Sequence, residues 1–147
     1  MLRIALALTA IALLSSCGGK GSPAPANWQP IPGARDAWSY GAGSLAQEYR
    51  YQSTAFEGSL QDLASQVTID ALTRNRGAKL QGSNPFADCP GAAGVATFRL
   101  AGGRALQEGF AVRQGQAVRV AYTRPAGTPI DPNVVQAMRS VLCVPPA

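Results

Sequence analysis

The residue types that most often carry enzymatic chemistry are scarce in this sequence. It contains no histidine, the commonest general base and a leading metal ligand, and it has three cysteines. No Gly-x-Ser-x-Gly, Ser-x-x-Lys or Walker pattern marks a serine nucleophile or a phosphate-binding loop. The eight acidic residues are scattered, so a hydrolase built on two carboxylates would depend on folding to bring them together. We therefore expect a protein without catalytic residues, metal site or cofactor.

One glycine-containing segment imitates a nucleotide-binding motif. Residues Gly41-Ala42-Gly43-Ser44-Leu45-Ala46 match a loose dinucleotide fingerprint, and Asp62 follows about twenty residues later. That motif requires an apolar strand before it and a strand-helix-strand unit around it, and the sequence predicts neither. We interpret the glycines as a turn that leads into the first strand.

The N-terminal residues have the layout of an export signal. Arg3 supplies a positive charge, an apolar run from Ile4 to Leu14 follows, and small polar residues come next. At about 1.5 Å per residue this run covers about 17 Å, which is too short for a helix to cross a hydrocarbon core of about 30 Å. The sequence Leu14-Ser15-Ser16-Cys17 resembles the lipobox of bacterial lipoproteins. The resemblance implies removal of residues 1–16 as a signal peptide and attachment of acyl chains, such as palmitate, to Cys17.

Lipid on Cys17 implies a location as well as an anchor. Each buried CH₂ contributes about 0.8 kcal/mol, so two or three acyl chains hold a protein stably at a membrane. In the lipoproteins that the sequence resembles, the residue after the cysteine influences sorting, and Gly18 is not the aspartate associated with retention in the inner membrane of enteric bacteria. We therefore expect a protein of the outer membrane that faces the periplasm. Its expected partners are the membrane and an envelope protein. Nucleic acid is not expected, because the net charge of +5 is spread along the chain.

The sequence after the cleavage site divides into a linker and one domain. Residues 17–33 are rich in glycine and proline, a composition typical of a flexible linker. Trp28 begins an arm that either packs back on the domain or recognises a partner. Residues 34–147 are sufficient for a single domain with its own core.

The two remaining cysteines predict a disulfide. With Cys17 acylated, Cys89 and Cys143 form an even pair in an oxidising compartment. Their bond would close a long loop, for which the chain-entropy estimate is about 4 kcal/mol of stabilisation. The alternative is two buried free thiols.

Two amphipathic helices stand out by their period. The first is capped by Ser59, with Asp62 three residues later. Its apolar face consists of Leu60, Leu63, Ala64, Val67, Ala71 and Leu72. The second begins at Asp131 and Pro132 and ends at Cys143. Its apolar face consists of Val134, Val135, Met138, Val141 and Leu142.

Strand-like runs occupy residues 48–56, 78–81, 95–100, 105–113 and 117–124. The last three predict a meander with three-residue loops at Gly102 to Arg104 and Gln114 to Gln116. This register gathers the apolar residues on one face. They are Ala96, Phe98, Leu100, Leu106, Phe110, Val112, Val118, Val120 and Tyr122. The opposite face then carries Arg99, Arg113 and Arg119 among small residues, a surface that suits one of the protein's own helices or a flat partner.

The same register places Glu108 on the apolar face, opposite Phe98 on one side and Tyr122 on the other. An unpaired carboxylate there is costly. It therefore pairs with an arginine such as Arg76 or Arg139, lies in water at the end of the sheet, or has a raised pKa and a functional role.

The order of these elements predicts an α+β domain in which an antiparallel sheet of about four to five strands packs with two main helices. From Gln47 to Leu142 this order resembles the PsbP-like fold of photosystem extrinsic proteins and some small bacterial envelope lipoproteins. The resemblance implies binding or assembly rather than catalysis and transfers no functional residue. We therefore expect a non-enzymatic binding or assembly module. The alternative is a carrier or sensor of a small apolar or anionic ligand, held by Glu108, Tyr122 and nearby arginines.

Overall fold

The computed structural model describes residues 23–143, so the predicted signal peptide and Cys17 lie outside the described residues. Seven strands in this range form one antiparallel sheet, in the spatial order β1-β2-β3-β7-β6-β5-β4. The elements are β1 (Gln29–Pro30), β2 (Ala37–Tyr40), a 3₁₀ turn (Gly43–Leu45), β3 (Gln47–Ala55), α1 (Leu60–Arg74), β4 (Lys79–Pro85), β5 (Ala93–Leu100), β6 (Arg104–Arg113), β7 (Gln116–Pro125) and α2 (Pro132–Leu142). The predicted α+β class is confirmed. The sheet is larger than the predicted four to five strands.

The two extra strands come from the start of the described chain. β1 has two residues and ends in a proline, and β2 has four, so neither shows a long apolar alternation. Their pairing depends on distant contacts: Trp38 of β2 lies opposite Tyr49 of β3, and the two ring centroids are 6.1 Å apart. β1 lies inside residues 17–33, the segment predicted as a linker.

Helix α1 begins where its capping signal predicts. The Ser59 hydroxyl accepts a hydrogen bond from the backbone N–H of Asp62 at 3.1 Å, and the Asp62 carboxylate accepts one from the backbone N–H of Ser59 at 2.8 Å. Hydrogen bonds from the Ser59 side chain and backbone lower the pKa of Asp62. The helix buries Leu63, Val67 and Ala71, whereas Leu72, predicted to face the core, is 41% exposed.

Helix α2 also begins at its predicted cap. The Asp131 carboxylate accepts a hydrogen bond from the backbone N–H of Asn133 at 2.8 Å, and Pro132 occupies the first turn, where its missing N–H costs nothing. Cys143 ends the helix, as predicted. The helix buries Val134, Ala137, Met138 and Leu142.

The two turns of the meander differ in length. Between β5 and β6, Leu100 pairs with Arg104, so three residues form the loop and residues of equal parity share a face. Between β6 and β7, Arg113 pairs with Gln116, and the turn has two residues, Gln114 and Gly115, both with positive φ. That conformation is typical of a type I′ hairpin turn. The predicted three-residue loop at this point was therefore wrong.

This shift of one residue turns β7 over. Val118, Val120 and Tyr122 pack with α2, whereas Ala117 packs with α1 against the opposite face of the sheet. The sheet thus has a buried core on each side. The cluster around α1 contains Ala96, Phe98, Leu106 and Phe110, and the cluster around α2 contains Trp28, Tyr49, Val120 and Tyr122.

The predicted basic surface of small residues does not exist as one face. By the observed register, Arg99 and Arg113 share the α2 side of the sheet with Gly109, and Arg119 lies on the α1 side. Helix α2 covers the Gly109 region, which agrees with the alternative that one of the protein's own helices occupies the small residues.

Gly109 permits the close approach of α2 to the sheet. A Cβ atom at this position would lie 2.7 Å from Leu142 Cδ1 and 2.8 Å from both Met138 Cε and Val120 Cγ2. We therefore expect Gly109→Val to lower the free energy of unfolding by about 2 kcal/mol, because it overpacks this interface. Urea unfolding measures the change. Gly82→Val is the matched control, since a Cβ there meets a single side-chain atom at 3.3 Å. Equal unfolding midpoints for the two variants would contradict the packing argument.

Candidate functional site

Glu108 lies in the middle of β6, on the side of the sheet that faces α1. It is 7% exposed, and its neighbours across the strands are Ala96 and Ala121. The prediction that it lies opposite Phe98 and Tyr122 was therefore wrong, because the β5–β6 pairing is shifted by two residues and the β6–β7 pairing by one. Small neighbours leave room for a charged partner above the carboxylate.

That partner is Arg119, rather than the Arg76 or Arg139 suggested by the sequence. The Arg119 guanidinium lies 3.5 Å from the Glu108 carboxylate and donates a hydrogen bond of 2.6 Å to the Asp70 carboxylate on α1. Arg119 therefore bridges the sheet and α1 through two acids.

Burial dominates the electrostatics of this network. It raises the pKa of the Glu108 carboxyl, while the positive charges of Arg119 and Arg74 oppose the rise. A carboxyl whose pKa is raised on folding favours the folded state most when it is protonated. Its contribution to stability is fully present below the ordinary pKa of 4.5 and is lost as the pH rises through the folded pKa.

The cavity beside Glu108 is small and polar. It measures about 90 Å³ and is lined by Arg50, Gln52, Arg74 and Arg119 among others. Pockets that enclose small-molecule ligands usually measure about 300–1,000 Å³. The arrangement suits a structural ion-pair network better than a ligand chamber.

Tyr122 lies on the other side of the sheet and joins three parts of the fold. Its hydroxyl donates a hydrogen bond to the Gln47 side chain and accepts one from the backbone N–H of Asp131 at 3.4 Å. Its ring contacts Trp28 edge-on, with centroids 6.1 Å apart. The Trp28 indole N–H in turn donates to the Asp131 carboxylate at 3.0 Å. Burial raises the pKa of Tyr122.

The contacts of Trp28 decide between the two interpretations of the N-terminal arm. Its ring is 6% exposed and packs between Tyr40 and Tyr122, so the arm packs on the domain at this residue. Glu108 and Tyr122, predicted to hold one ligand together, are separated by the sheet.

The other residues predicted to be functional, Arg99, Arg113, Cys89 and Cys143, do not form one site with Glu108. Arg99 is exposed, whereas Arg113 is partly buried. One terminal nitrogen of Arg113 has no hydrogen-bond partner among residues 23–143, and burial lowers the pKa of the guanidinium. The Cα atoms of Cys89 and Cys143 are 5.6 Å apart, which is compatible with a disulfide between the β4–β5 connection and the end of α2.

A cavity of about 250 Å³ lies at the end of the sheet and was not predicted from the sequence. Arg99, Arg104 and Arg124 all line it. The register reveals why two of them meet: Arg99 of β5 and Arg124 of β7 both pair with Ala105 of β6. The lengths of the β5–β6 and β6–β7 turns set these pairings. The sequence therefore predicts that Arg99 and Arg124 lie close together only if both turn lengths are known.

Within residues 23–143, no group of three or more cysteine, aspartate or glutamate side chains is placed to hold a metal ion. No helix in this range combines the length and apolar character that a membrane span requires. In comparisons with known proteins, no family model matches the chain, and no curated protein is similar to it.

Proposed function

We propose that this protein is a bacterial envelope lipoprotein, anchored through acyl chains on Cys17, that acts as a non-enzymatic binding or assembly module. The residues Leu14-Ser15-Ser16-Cys17 support the anchor, and Gly18 supports an outer-membrane location facing the periplasm. The disulfide-compatible geometry of Cys89 and Cys143 suits an oxidising compartment. The proposed relationship to the PsbP-like fold agrees with an assembly role.

A binding module is favoured over a ligand carrier because the Glu108 site has no chamber large enough for a ligand. A carrier would need a chamber that Glu108 and Tyr122 share. Instead, Glu108 is paired with Arg119 beside a cavity of about 90 Å³, and Tyr122 is buried in the hydrophobic cluster on the other side of the sheet. A domain with this interior acts through its surface.

The anchor supplies part of the mechanism. A tether restricts the domain to the neighbourhood of the membrane, so a partner in the same membrane meets it at a raised effective concentration. Weak surface contacts then suffice for binding in the cell.

The test is photo-crosslinking in intact cells, with a photoreactive amino acid placed in separate strains at exposed side chains. Suitable positions are Tyr40, Gln52, Ile69, Leu80 and Ile130. We expect at least one position to give a discrete adduct with one envelope protein, and we expect Cys17→Ser to reduce that adduct. The absence of a discrete adduct at all five positions, in a protein that fractionates with the membrane, would reject the module.

A further inference from the structure

The cavity lined by Arg99, Arg104 and Arg124 concentrates positive charge, and no acidic side chain of the described residues lines it. Within the described chain, Arg119 and Arg139 each form an ion pair with a carboxylate, whereas none of the three cavity arginines does. We name this group of three residues the arginine cavity.

The sheet register brings two of these charges together. Arg99 on β5 and Arg124 on β7 flank Ala105 on the intervening strand β6, so their Cα atoms are roughly 10 Å apart, given about 4.8 Å between strands. Ala105 is small, which leaves space above it for two long side chains. Two positive charges on one face at this separation repel each other. A bound anion between them removes that repulsion.

Two of the three arginines are held by contacts of their own, and for Arg124 that contact orients the donor group. Arg104 donates a hydrogen bond of 2.8 Å to the backbone carbonyl of Ala46. The Arg124 guanidinium carbon lies 5.8 Å from the centroid of the Tyr122 ring, which is a cation–π contact. Preorganised donors lose less freedom on binding a ligand.

Arg124 also has an unmet hydrogen-bonding requirement. Its Nε is buried and has no hydrogen-bond partner in the described structure. Buried donors in folded proteins nearly always have a partner, so such an atom requires an explanation. An acceptor seated in the arginine cavity provides one. Gln81 and Thr97, which also line the cavity, offer uncharged polar groups to the same ligand.

We propose that the arginine cavity binds an oxyanion of the phosphate class, with Arg99 and Arg124, which share one side of the sheet, as its charged donors. Planar guanidiniums match the geometry of phosphate oxygens and form charge-assisted hydrogen bonds with them. A cavity of about 250 Å³ accommodates a phosphate group with a small substituent. The site is a property of the folded domain and does not depend on the proposed function.

Two sources supply this chemistry: inorganic phosphate and the phosphodiester of a phospholipid headgroup. Trp28 packs on the same Tyr122 ring that Arg124 approaches. The arginine cavity is therefore close to the point where the chain from Cys17 joins the domain.

The test is calorimetric titration of the full chain, purified in a non-ionic detergent at pH 7 and constant ionic strength. One arm uses sodium phosphate, and the other uses a water-soluble short-chain phosphatidylglycerol below its micelle concentration. We expect saturable binding in at least one arm, weakened about tenfold or more by Arg99→Gln or Arg124→Gln, because each removes a charge-assisted hydrogen bond. Tighter binding of the short-chain lipid identifies the headgroup as the ligand, and tighter binding of phosphate identifies the free ion.

Arg76→Gln is the matched control, since it removes the same charge from an exposed position outside the arginine cavity. Arg99 is itself exposed, so Arg99→Gln tests the proposal even if Arg124→Gln disturbs the packing on Tyr122. Absence of binding in both arms would overturn the proposal. Equal weakening by Arg76→Gln and Arg99→Gln would also overturn it, because it would indicate attraction to the overall charge.

Discussion

Replacing Arg119 with methionine should lower the free energy of unfolding by about 3 kcal/mol at pH 7. Methionine keeps most of the apolar side chain but leaves the Glu108 carboxylate buried without its partner, and an uncompensated buried charge typically costs about 3–5 kcal/mol. The measurement is urea unfolding of both proteins across a range of pH.

The pH profile identifies the cause of this loss. Without Arg119, the pKa of Glu108 rises further, so the deficit should be largest at neutral pH. It should shrink as the pH falls towards the ordinary carboxyl pKa of 4.5, because a protonated Glu108 carries no charge to compensate. Arg139→Met is the control: it breaks the solvent-exposed pair with Asp88, for which we expect at most about 1 kcal/mol. Equal, pH-independent losses in the two variants would show that the Glu108 network is not electrostatically coupled.

Removing the bond between Cys89 and Cys143 should cost about 4 kcal/mol of stability, the chain-entropy estimate for a loop of this length. The two residues are 54 apart in sequence, and a bond between them would join the β4–β5 connection to the end of α2. We expect Cys89→Ala, Cys143→Ala and the double variant to unfold at similar urea concentrations. Reduction should bring the wild-type protein to the same midpoint.

Thiol labelling of the unfolded, unreduced protein tests the oxidised state itself. Peptide mapping should find Cys89 and Cys143 unlabelled, and both should be labelled after reduction. Labelling of both cysteines without reduction would support the alternative of two free thiols.

The helices were predictable because their signals are local. Each helix start is marked by residues close together in sequence: Ser59 and Asp62 for α1, Asp131 and Pro132 for α2. The structure shows hydrogen bonds at both caps. The apolar periods identified most of the buried residues of both helices. They missed Ala137 of α2, which is buried, and they wrongly placed Leu72 in the core, where the residue is exposed because it lies at the edge of the apolar face of α1.

The register of β7 was not predictable from the same kind of signal. A two-residue turn with positive φ at both positions usually contains asparagine or aspartate before glycine, and here it contains Gln114 before Gly115. Placing the apolar residues of all three strands on one face therefore favoured a three-residue loop. The sheet instead buries both faces, one under each helix, so its apolar residues are divided between two cores.

The partners of the site residues were also not predictable, because they depend on the register of the strands. The sequence indicated that a buried Glu108 needs a partner, but Arg119 becomes that partner only because the observed register places both on the α1 side. In the same way, Arg99 and Arg124 are separated by 25 positions in sequence and meet through their common pairing with Ala105. Contacts between strands depend on turn lengths, because a change of one residue in a turn moves every side chain of the following strand to the other face of the sheet.

Intact mass spectrometry of the protein extracted from membranes tests the proposed anchor most directly. We expect a chain that begins at Cys17, lacks residues 1–16 and carries the added mass of two or three acyl chains on its N-terminal residue. A membrane-derived chain that retains residues before Cys17, or one that begins at Cys17 without acyl chains, would contradict it.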